Sequence, residues 1–404
     1  MRHRTRPVLA ALTTLLAAAC ATLPAQAAYN TLDGLAPLVI GHRGASGYLP
    51  EHTLESYAKA IALGANVIEP DLVMTKDGFF VARHEPMLDS TTDVASKFGA
   101  ARMATKMLDG VSTTAYFTSD FTLAEIKTLR AIQPRANRPQ EFNGLYGIPT
   151  LDEIVALAQS KGTAIYPEVK HSTFHANIFG AHVFEDKLVS TLHAAYGNSV
   201  NAPVFIQSFE ISNLQYLNGQ TNIRLVQLVD ADDVNADGSV SLVDPYRQPY
   251  DVLLAGGTLT FAEMLLPGGL VNIKAYADGI GPWKPYLVKT VADGVDRTGD
   301  GIINLNDRRV DGSTGVIESA HSTGLFVHAY TFRNDASGYG FADPKAEMAY
   351  YMTLGVDGVF TDFADTGVAA VASIPEPATW ALLLGGVAAL AFRQRRTTRQ
   401  TNRH

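Results

Sequence analysis

Cysteine is nearly missing from these 404 residues: Cys20 is the only one. A single thiol excludes an internal disulfide framework and any zinc site built on several thiolates. Tryptophan occurs twice, and charged residues make up only 18% against 47% apolar ones. That balance excludes a long disordered chain and leaves ample material for a large core, in one (β/α)8 barrel or in two or three average domains.

Positive charge is also short, and much of it sits at the ends. The start, "MRHRTRPVLAALTTLLAAACATLPAQAAYN", has Arg2, Arg4 and Arg6, then an apolar stretch, then Ala25-Gln26-Ala27. This reads as a secretory leader over 1–27, cut by signal peptidase; a lipoprotein cut at Cys20 is the alternative. At the far end, "IPEPATWALLLGGVAALAFRQRRTTRQTNRH" places 15 residues, 378–392, before Arg393, Arg395 and Arg396. At about 1.5 Å each they fall short of a bilayer core of roughly 30 Å, a marginal span stopped by positive charge. Pro375-Glu376-Pro377, the short span and the arginines resemble the PEP-CTERM sorting tail over 374–404. That resemblance implies a membrane sorting enzyme as a partner, a transient anchor, and a destination in the periplasm, on the outer surface or outside a Gram-negative cell; a plain C-terminal anchor is the alternative. Whether the tail is removed stays open.

The leader holds three Arg, and the tail five Arg and one Glu, so of 32 basic and 40 acidic residues the body keeps 24 and 39, a net charge of −15. Such a body is a poor nucleic-acid binder. An anionic substrate would need a bound cation or a few placed Arg and Lys.

Within the body, 28–373, short apolar runs at 38–41, 67–74, 79–84, 164–170, 204–209, 225–229, 277–280, 325–332 and 357–362 read as strands. Helical patterns lie between several of them: "EHTLESYAKAIALGA", with Leu54, Tyr57, Ala58, Ile61 and Ala62 on one face, and "TLDEIVALAQSKG", opening at Thr150 and ending before Gly162. Repeated strand and helix predict an α/β fold, a (β/α)8 TIM barrel, with an inserted loop region after the third run, about 86–149. Nine runs compete for eight places.

The surplus run points to the site. Asp77-Gly78 predicts a two-residue type I′ turn, with Lys76 paired to Phe79, His84 opposite Asp71, and Glu69 one pleat along the same face. Two carboxylates buried beside a histidine imply a compensating cation. Other strand ends add His42 and Arg43 in "VIGHRGASG", and Glu168 and Lys170 in "YPEVKH". In a barrel these ends share the active face. Glu69, Asp71 and Glu168 form an oxygen-only set suited to Ca²⁺ or Mg²⁺. Arg43 and Lys170 suit an anion, and His42 and His84 suit proton transfer near neutral pH. Together they specify phosphodiester cleavage.

"HRGASGYLPEHTLESYAKAI", "EPDLVMTKDG", "ARHE", "YPEVK", "YADGIGP", "HAYTFRND" and "GVDGVFTDF", spread from about Leu38 to Val371, resemble the glycerophosphodiester phosphodiesterase family, most closely its periplasmic, calcium-dependent branch. The resemblance implies a (β/α)8 enzyme that splits small glycerophosphodiesters, such as glycerophosphocholine or glycerophosphoethanolamine, into glycerol 3-phosphate and an alcohol. It implies metal ligands at Glu69, Asp71 and Glu168, Ca²⁺ ahead of Mg²⁺, phosphate contacts from Arg43 and Lys170, and catalytic histidines at His42 and His84. In that mechanism His42 deprotonates a glycerol hydroxyl that attacks phosphorus, His84 protonates the leaving alcohol, and water opens the cyclic phosphate. Two departures, His52 for the family's Asn and Glu85 for its Asp after the histidine, are expected to leave the core set untouched, with Glu85 able to alter the orientation of His84.

Two stretches lie outside this pattern. Asp233, Asn235, Asp237 and Asp244, and Asp296, Thr298, Asp300 and Asp307, stand at the spacing of EF-hand-like calcium loops over 233–244 and 296–307. They read either as structural Ca²⁺ sites or as solvated turns. Gln207, Phe209, Tyr276 and Tyr330, at strand ends, read as substrate-lining or as core. His171, His175, His182, His193, His321 and His328 show no ligand spacing. A lipid phosphodiesterase of the phospholipase D or sphingomyelinase D type, and a surface protein that only binds, are the rival functions. Head-group preference and oligomeric state are not encoded legibly.

Overall fold

A strand's side chains alternate between its two faces, so each run divides into an inner and an outer set. In the computed structural model, which describes residues 29–374, the runs become β1 (Leu38–His42), β2 (Val67–Glu69), β3 (Asp71–Met74), β4 (Phe80–Ala82), β5 (Ala104–Leu108), β6 (Val111–Ala115), β7 (Ala164–Ile165), β8 (Glu168–Val169), β9 (Phe205–Ser208), β10 (Arg224–Val229), β11 (Asp233–Val234), β12 (Val240–Ser241), β13 (Gly279–Pro282), β14 (Val288–Val291), β15 (Arg309–Ser313), β16 (Phe326–Phe332) and β17 (Gly358–Thr361). The leader and the sorting segment beyond Ile374 lie outside the described residues.

The main sheet runs β4-β3-β8-β9-β10-β13-β16-β17-β1-β2-β7. β2 and β3 are halves of one run parted at Pro70, and β7 and β8 are halves of another parted at Tyr166 and Pro167, because proline gives no N–H to a ladder. Both ends of the order therefore fall on the same two staves. Tyr166 and Glu168 donate their N–H groups to the carbonyls of Ile68 and Pro70, both at 2.9 Å, across the breaks. The result is a closed ring of eight parallel staves, a (β/α)8 barrel. The ninth run is β4, antiparallel on β3 and outside the ring.

Helices return the chain between staves, and their ends are written locally. Leu151–Lys161 opens on a capping box between Thr150 and Glu153 and closes at Gly162, whose φ of 64° favours glycine. Leu54–Ala62 is capped by Thr53 and buries Ser56, Tyr57 and Ala60. The expected stripe reaching Ala62 is thus rotated, since Ala60 packs where Gly41 leaves no side chain, and a Cβ there would come within 2.8 Å of it. Inside the ring Ile40, Val67, Tyr166, Phe205, Val226 and Phe360 form a plug, with Tyr166 stacked on Phe205 at 4.8 Å. His328 closes it by hydrogen bonding Tyr166 Oη at 3.0 Å, a structural histidine. That plug fills the barrel below the inward side chains at the C-terminal strand ends.

The hairpin register differs from the expected one. Leu72 pairs with Ala82, Val73 with Val81 and Met74 with Phe80, so Thr75 meets Phe79 across a three-residue turn. Thr75 Oγ1 accepts the Phe79 N–H at 2.9 Å and donates to Asp77 Oδ1 at 2.7 Å, and Gly78 takes φ 80°. These side-chain bonds favour the longer turn over type I′. Arg83, not His84, therefore stands beside Asp71, donating its N–H to the Asp71 carbonyl at 3.0 Å. Its buried guanidinium donates to the carbonyls of Glu51 and His52 at 2.9 and 2.8 Å. His84 lies past the end of β4, where the chain turns it into the cavity.

The segment after it carries its own small core of Leu88, Val94, Phe121, Ile126, Leu129 and Ile148 against Val73 and Val81. It reaches across the barrel mouth through Arg138, which binds Asp362 at 2.6 Å and Asp335 at 2.8 Å.

The two loops of calcium-like spacing also lie on the side of the C-terminal strand ends, after β10 and after β13. The first folds as the β11–β12 hairpin, and the second lies between β14 and β15. Neither brings three acidic side chains together, and their carboxylates accept hydrogen bonds from the loops themselves. Asp233 accepts from Val234 N–H, and Asp237 from Ser239 N–H; Asn235 donates to Ser239 Oγ, and Asp244 precedes Pro245. Asp296 accepts from Thr298 Oγ1 and the N–H groups of Gly299 and Gly301, Asp300 from Ile302, and Asp307 from Arg297, Thr298 and Asn304. Arg308 joins the loops by donating to the carbonyls of Ala236 and Asp237 at 3.0 and 2.7 Å.

Candidate active site

The parallel register lines up the acidic strand ends. His42 is the cross-strand neighbour of Glu69, Asp71 of Glu168, and Glu168 of Gln207. Glu69, Asp71 and Glu168 each offer an oxygen within 4.8 Å of the others, and all three are buried. Among the described residues this is the one such group of three or more. Burial, then the Asp71 and Glu168 charges, push Glu69 well above the usual carboxylate range, and burial lifts Glu168 to about 8. Burial opposes ionisation of Asp71 too, but hydrogen bonding from His52 and the charges of His52 and Lys170 hold it well below that range. Crowding three carboxylates this way is costly unless a cation joins them. Asp71 Oδ1 and Gln207 Oε1 are buried without a hydrogen-bond partner, and Gln207 Nε2 donates to Glu69 Oε1 at 3.1 Å. An all-oxygen donor set with unfilled acceptors fits a hard divalent cation.

His52, expected to leave this set untouched, is part of its support. Its Nε2 lies 2.9 Å from Asp71 Oδ2 and its Nδ1 2.7 Å from Tyr57 Oη, with the ring fully buried. His52→Ala is expected to cost about 1–3 kcal/mol of stability by stranding two buried polar partners. Metal affinity should fall roughly tenfold to a hundredfold, because the ligand loses its orienting bond. Urea unfolding of the metal-free protein and metal titration of activity would read the two effects separately.

On the β1 side, Asp362 Oδ1 lies 2.6 Å from His42 Nδ1. Arg138 and Arg333 hold the other Asp362 oxygen at 2.6 and 2.9 Å. Burial opposes ionisation of Asp362, but the His42 contact and the two arginines keep it well below the usual range. Burial and then Arg43 pull His42 down to about 4 against the raising effect of Asp362, so the ring is neutral at pH 7. With Nδ1–H donated to Asp362, Nε2 keeps its lone pair, which accepts from Arg43 Nε at 3.2 Å. Arg43 sits at φ 57°, a left-handed conformation costing on the order of 1–2 kcal/mol. That turn aims its N–H at Glu69 Oε2, 2.8 Å away, while its guanidinium reaches Glu51 at 3.2 Å.

Opposite, Lys170 Nζ lies 3.1 Å from Glu168 and 3.5 Å from His84 Nε2. His84 Nδ1 is 2.8 Å from a Glu85 carboxylate oxygen. Burial, Arg43 and Lys170 lower His84 to about 4 despite Glu85. Glu85 in turn meets His171, whose other nitrogen meets Asp109.

His42, Arg43, Glu69, Asp71, His84, Glu168 and Lys170 line one cavity of about 860 Å³. Gln207, Phe209 and Tyr330 line it as well. Tyr276 does not: its hydroxyl donates to Gln227 at 2.9 Å, and its ring faces a separate cavity beside Ile273. Sequence reasoning missed Asp362, Arg138, Arg333 and His171 as parts of the site. Asp362 directly follows β17 as His42 ends β1, so the strand-end rule applied to "FTDF" would have found it.

Comparison with known proteins follows the same line. The profile of the Glycerophosphoryl diester phosphodiesterase family matches residues 42–366, and that of the PEP-CTERM protein-sorting motif matches 373–396. The chain is 36% identical to glycerophosphodiester phosphodiesterase GDPD6 of Arabidopsis thaliana over 87% of its length and 92% of the relative. It is 31% identical to glycerophosphodiester phosphodiesterase of Haemophilus influenzae over 82% and 88%. An Oleispira antarctica phosphodiesterase, solved in complex with its product sn-glycerol-3-phosphate, shares the fold at TM-score 0.51 and 18% identity, covering 85% of this chain and all of that one.

Proposed function

The chain belongs to the glycerophosphoryl diester phosphodiesterase family, and on that premise we propose how its residues divide the metal-dependent hydrolysis of a glycerophosphodiester to glycerol 3-phosphate and an alcohol. The observation that carries the proposal is the buried trio Glu69, Asp71 and Glu168, placed between His42 and His84 with acceptors still open. A divalent cation held there supplies Lewis-acid charge against the phosphoryl oxygens. Ca²⁺ is favoured over Mg²⁺ because it accepts a larger and less regular oxygen shell and sheds water more readily.

Neutral His42, fixed by Asp362, takes the proton of a glycerol hydroxyl at Nε2. That oxygen attacks phosphorus, and the alcohol leaves with a proton from His84, which enters this step as the imidazolium once the bound phosphate anion offsets the lowering by burial, Arg43 and Lys170. In the second step His84 takes a proton from water, the water oxygen attacks phosphorus, and His42 returns its proton to the glycerol oxygen as the cyclic phosphate opens. Arg43 and Lys170 hold the phosphate and balance its charge in a cavity closed on several sides. The leader and the sorting motif support export, with signal peptidase and a sorting enzyme as processing partners and the cell envelope as destination. No helix among the described residues is long and apolar enough to cross a membrane.

The test is glycerol 3-phosphate release from glycerophosphocholine by the purified protein after chelation, then with Ca²⁺ or Mg²⁺ restored. Release lost to the chelator and returned by Ca²⁺ is expected. Return by Mg²⁺ alone would reverse the choice of ion, and no release with either ion from a folded sample would defeat the proposal.

A further inference from the structure

His171 lines the reaction cavity, yet no proton transfer above uses it. It follows Lys170 at the end of β8 and stands between two carboxylates: Nδ1 lies 2.6 Å from Asp109 Oδ2, and Nε2 lies 3.2 Å from Glu85 Oε2. An imidazole whose two nitrogens both face carboxylates donates from both and is a cation. Burial works against that charge, but Asp109 and Glu85 outweigh it and lift the ring to about 10. Asp109 comes from the tip of the β5–β6 hairpin, part of the segment inserted after β4. Asp109 and His171 both adopt left-handed φ angles, 47° and 46°. For Asp109 that angle belongs to the two-residue Asp109-Gly110 turn between Leu108 and Val111, whereas His171 is a non-glycine residue strained beside the cavity, with its ring against Asp109.

The far end of the contact is His84. Glu85 accepts from His171 through one oxygen, and its other oxygen lies 2.8 Å from His84 Nδ1. Its side chain is 38% exposed, so without His171 little else would fix the carboxylate plane. We propose that His171 and Asp109 are positioning residues: the chain Asp109, His171, Glu85, His84 holds the His84 ring so that Nε2 faces the leaving oxygen. The inserted hairpin then contributes to the chemistry as well as to the wall of the cavity. This rests on the reading of His84 as the acid that protonates the leaving alcohol.

The test uses two substrates with the full chain: glycerophosphocholine, whose alcohol must be protonated to leave, and the p-nitrophenyl ester of glycerol 3-phosphate, whose phenolate leaves unaided. The ratio of the two rates in one sample is independent of the fraction folded, so a merely structural loss does not move it. His84→Gln sets the scale, with an expected ratio change on the order of 10²-fold or more against glycerophosphocholine. His171→Gln and Asp109→Asn are expected to move the ratio the same way by roughly tenfold, with kcat rather than KM carrying the change. A shift in His84→Gln with none in the other two would overturn the inference while leaving the role of His84 standing. No shift in any variant would remove His84 as the acid and the inference with it.

Discussion

Glu69→Gln and Glu168→Gln are each expected to lower metal-dependent turnover by on the order of 10³-fold, equivalent to several kcal/mol of lost transition-state stabilisation, and yet to unfold no earlier than wild type in chelator. The two halves have one cause. Without a cation, the carboxylates of Glu69, Asp71 and Glu168 share one buried space, and the shifts of Glu69 and Glu168 record that mutual repulsion together with desolvation. Glu69 and Glu168 are held protonated there at neutral pH, and an amide keeps the same uncharged form at almost unchanged volume. Asp71→Asn should lose as much activity without that match, because Asp71 is the ionised member and His52 is bonded to it.

The pH dependence follows with a definite sign. Glu168 is raised to about 8 in the folded state, above the unfolded carboxylate range. Its contribution to the stability of the metal-free protein is therefore complete at acid pH and is lost as pH rises towards 8. Metal binding must displace the same proton, so affinity climbs across that window. Saturating Ca²⁺ at a hundredfold excess over Kd should add about 2.7 kcal/mol of stability, more readily at pH 8 than at pH 6. Unfolding curves with and without Ca²⁺ at both values measure it, and undiminished activity in all three variants would remove the site.

The legible part of this site was the part written with period 2. His42, Glu69, Asp71, Glu168, Lys170 and Gln207 each occupy the inward position at the end of a stave, and the parallel register makes neighbours of five of them. The hairpin shows why such reading also fails. Its register turned on whether Thr75 or Lys76 began the turn, which was decided by the hydroxyl and carboxylate of Thr75 and Asp77, and one residue of slip replaced His84 by Arg83 beside Asp71. His84 still arrives, because the chain leaves the strand after Ala82. Contacts across long separations left no local signature: Arg138 meets Asp362 across 224 residues, and His171 meets Asp109 across 62. The acidic loops show that one spacing serves two ends, since spacing that suits calcium also suits carboxylates that cap their own turns.

His42→Gln is expected to lower turnover by about 10²–10⁴-fold, the range of a lost general base, with metal affinity little changed because His42 is not among the grouped carboxylates. The variant has a second readout in stability. His42 is lowered to about 4 in the folded protein, so burying it neutral contributes stability above the unfolded histidine value that is lost as pH falls through 4. Asp362, held well below the carboxylate range, loses its contribution in the same direction. Wild type should therefore be destabilised between pH 7 and pH 4 more than His42→Gln, whose side chain does not titrate. Asp362→Asn should lose less activity than His42→Gln, since the ring remains but its Nδ1–H no longer meets a charge. It should lose more stability, because Arg138 is left buried without one of its carboxylates. If Asp362→Asn matched wild type in both turnover and acid stability, Asp362 would be a bystander and the tautomer assigned to His42 would have no anchor.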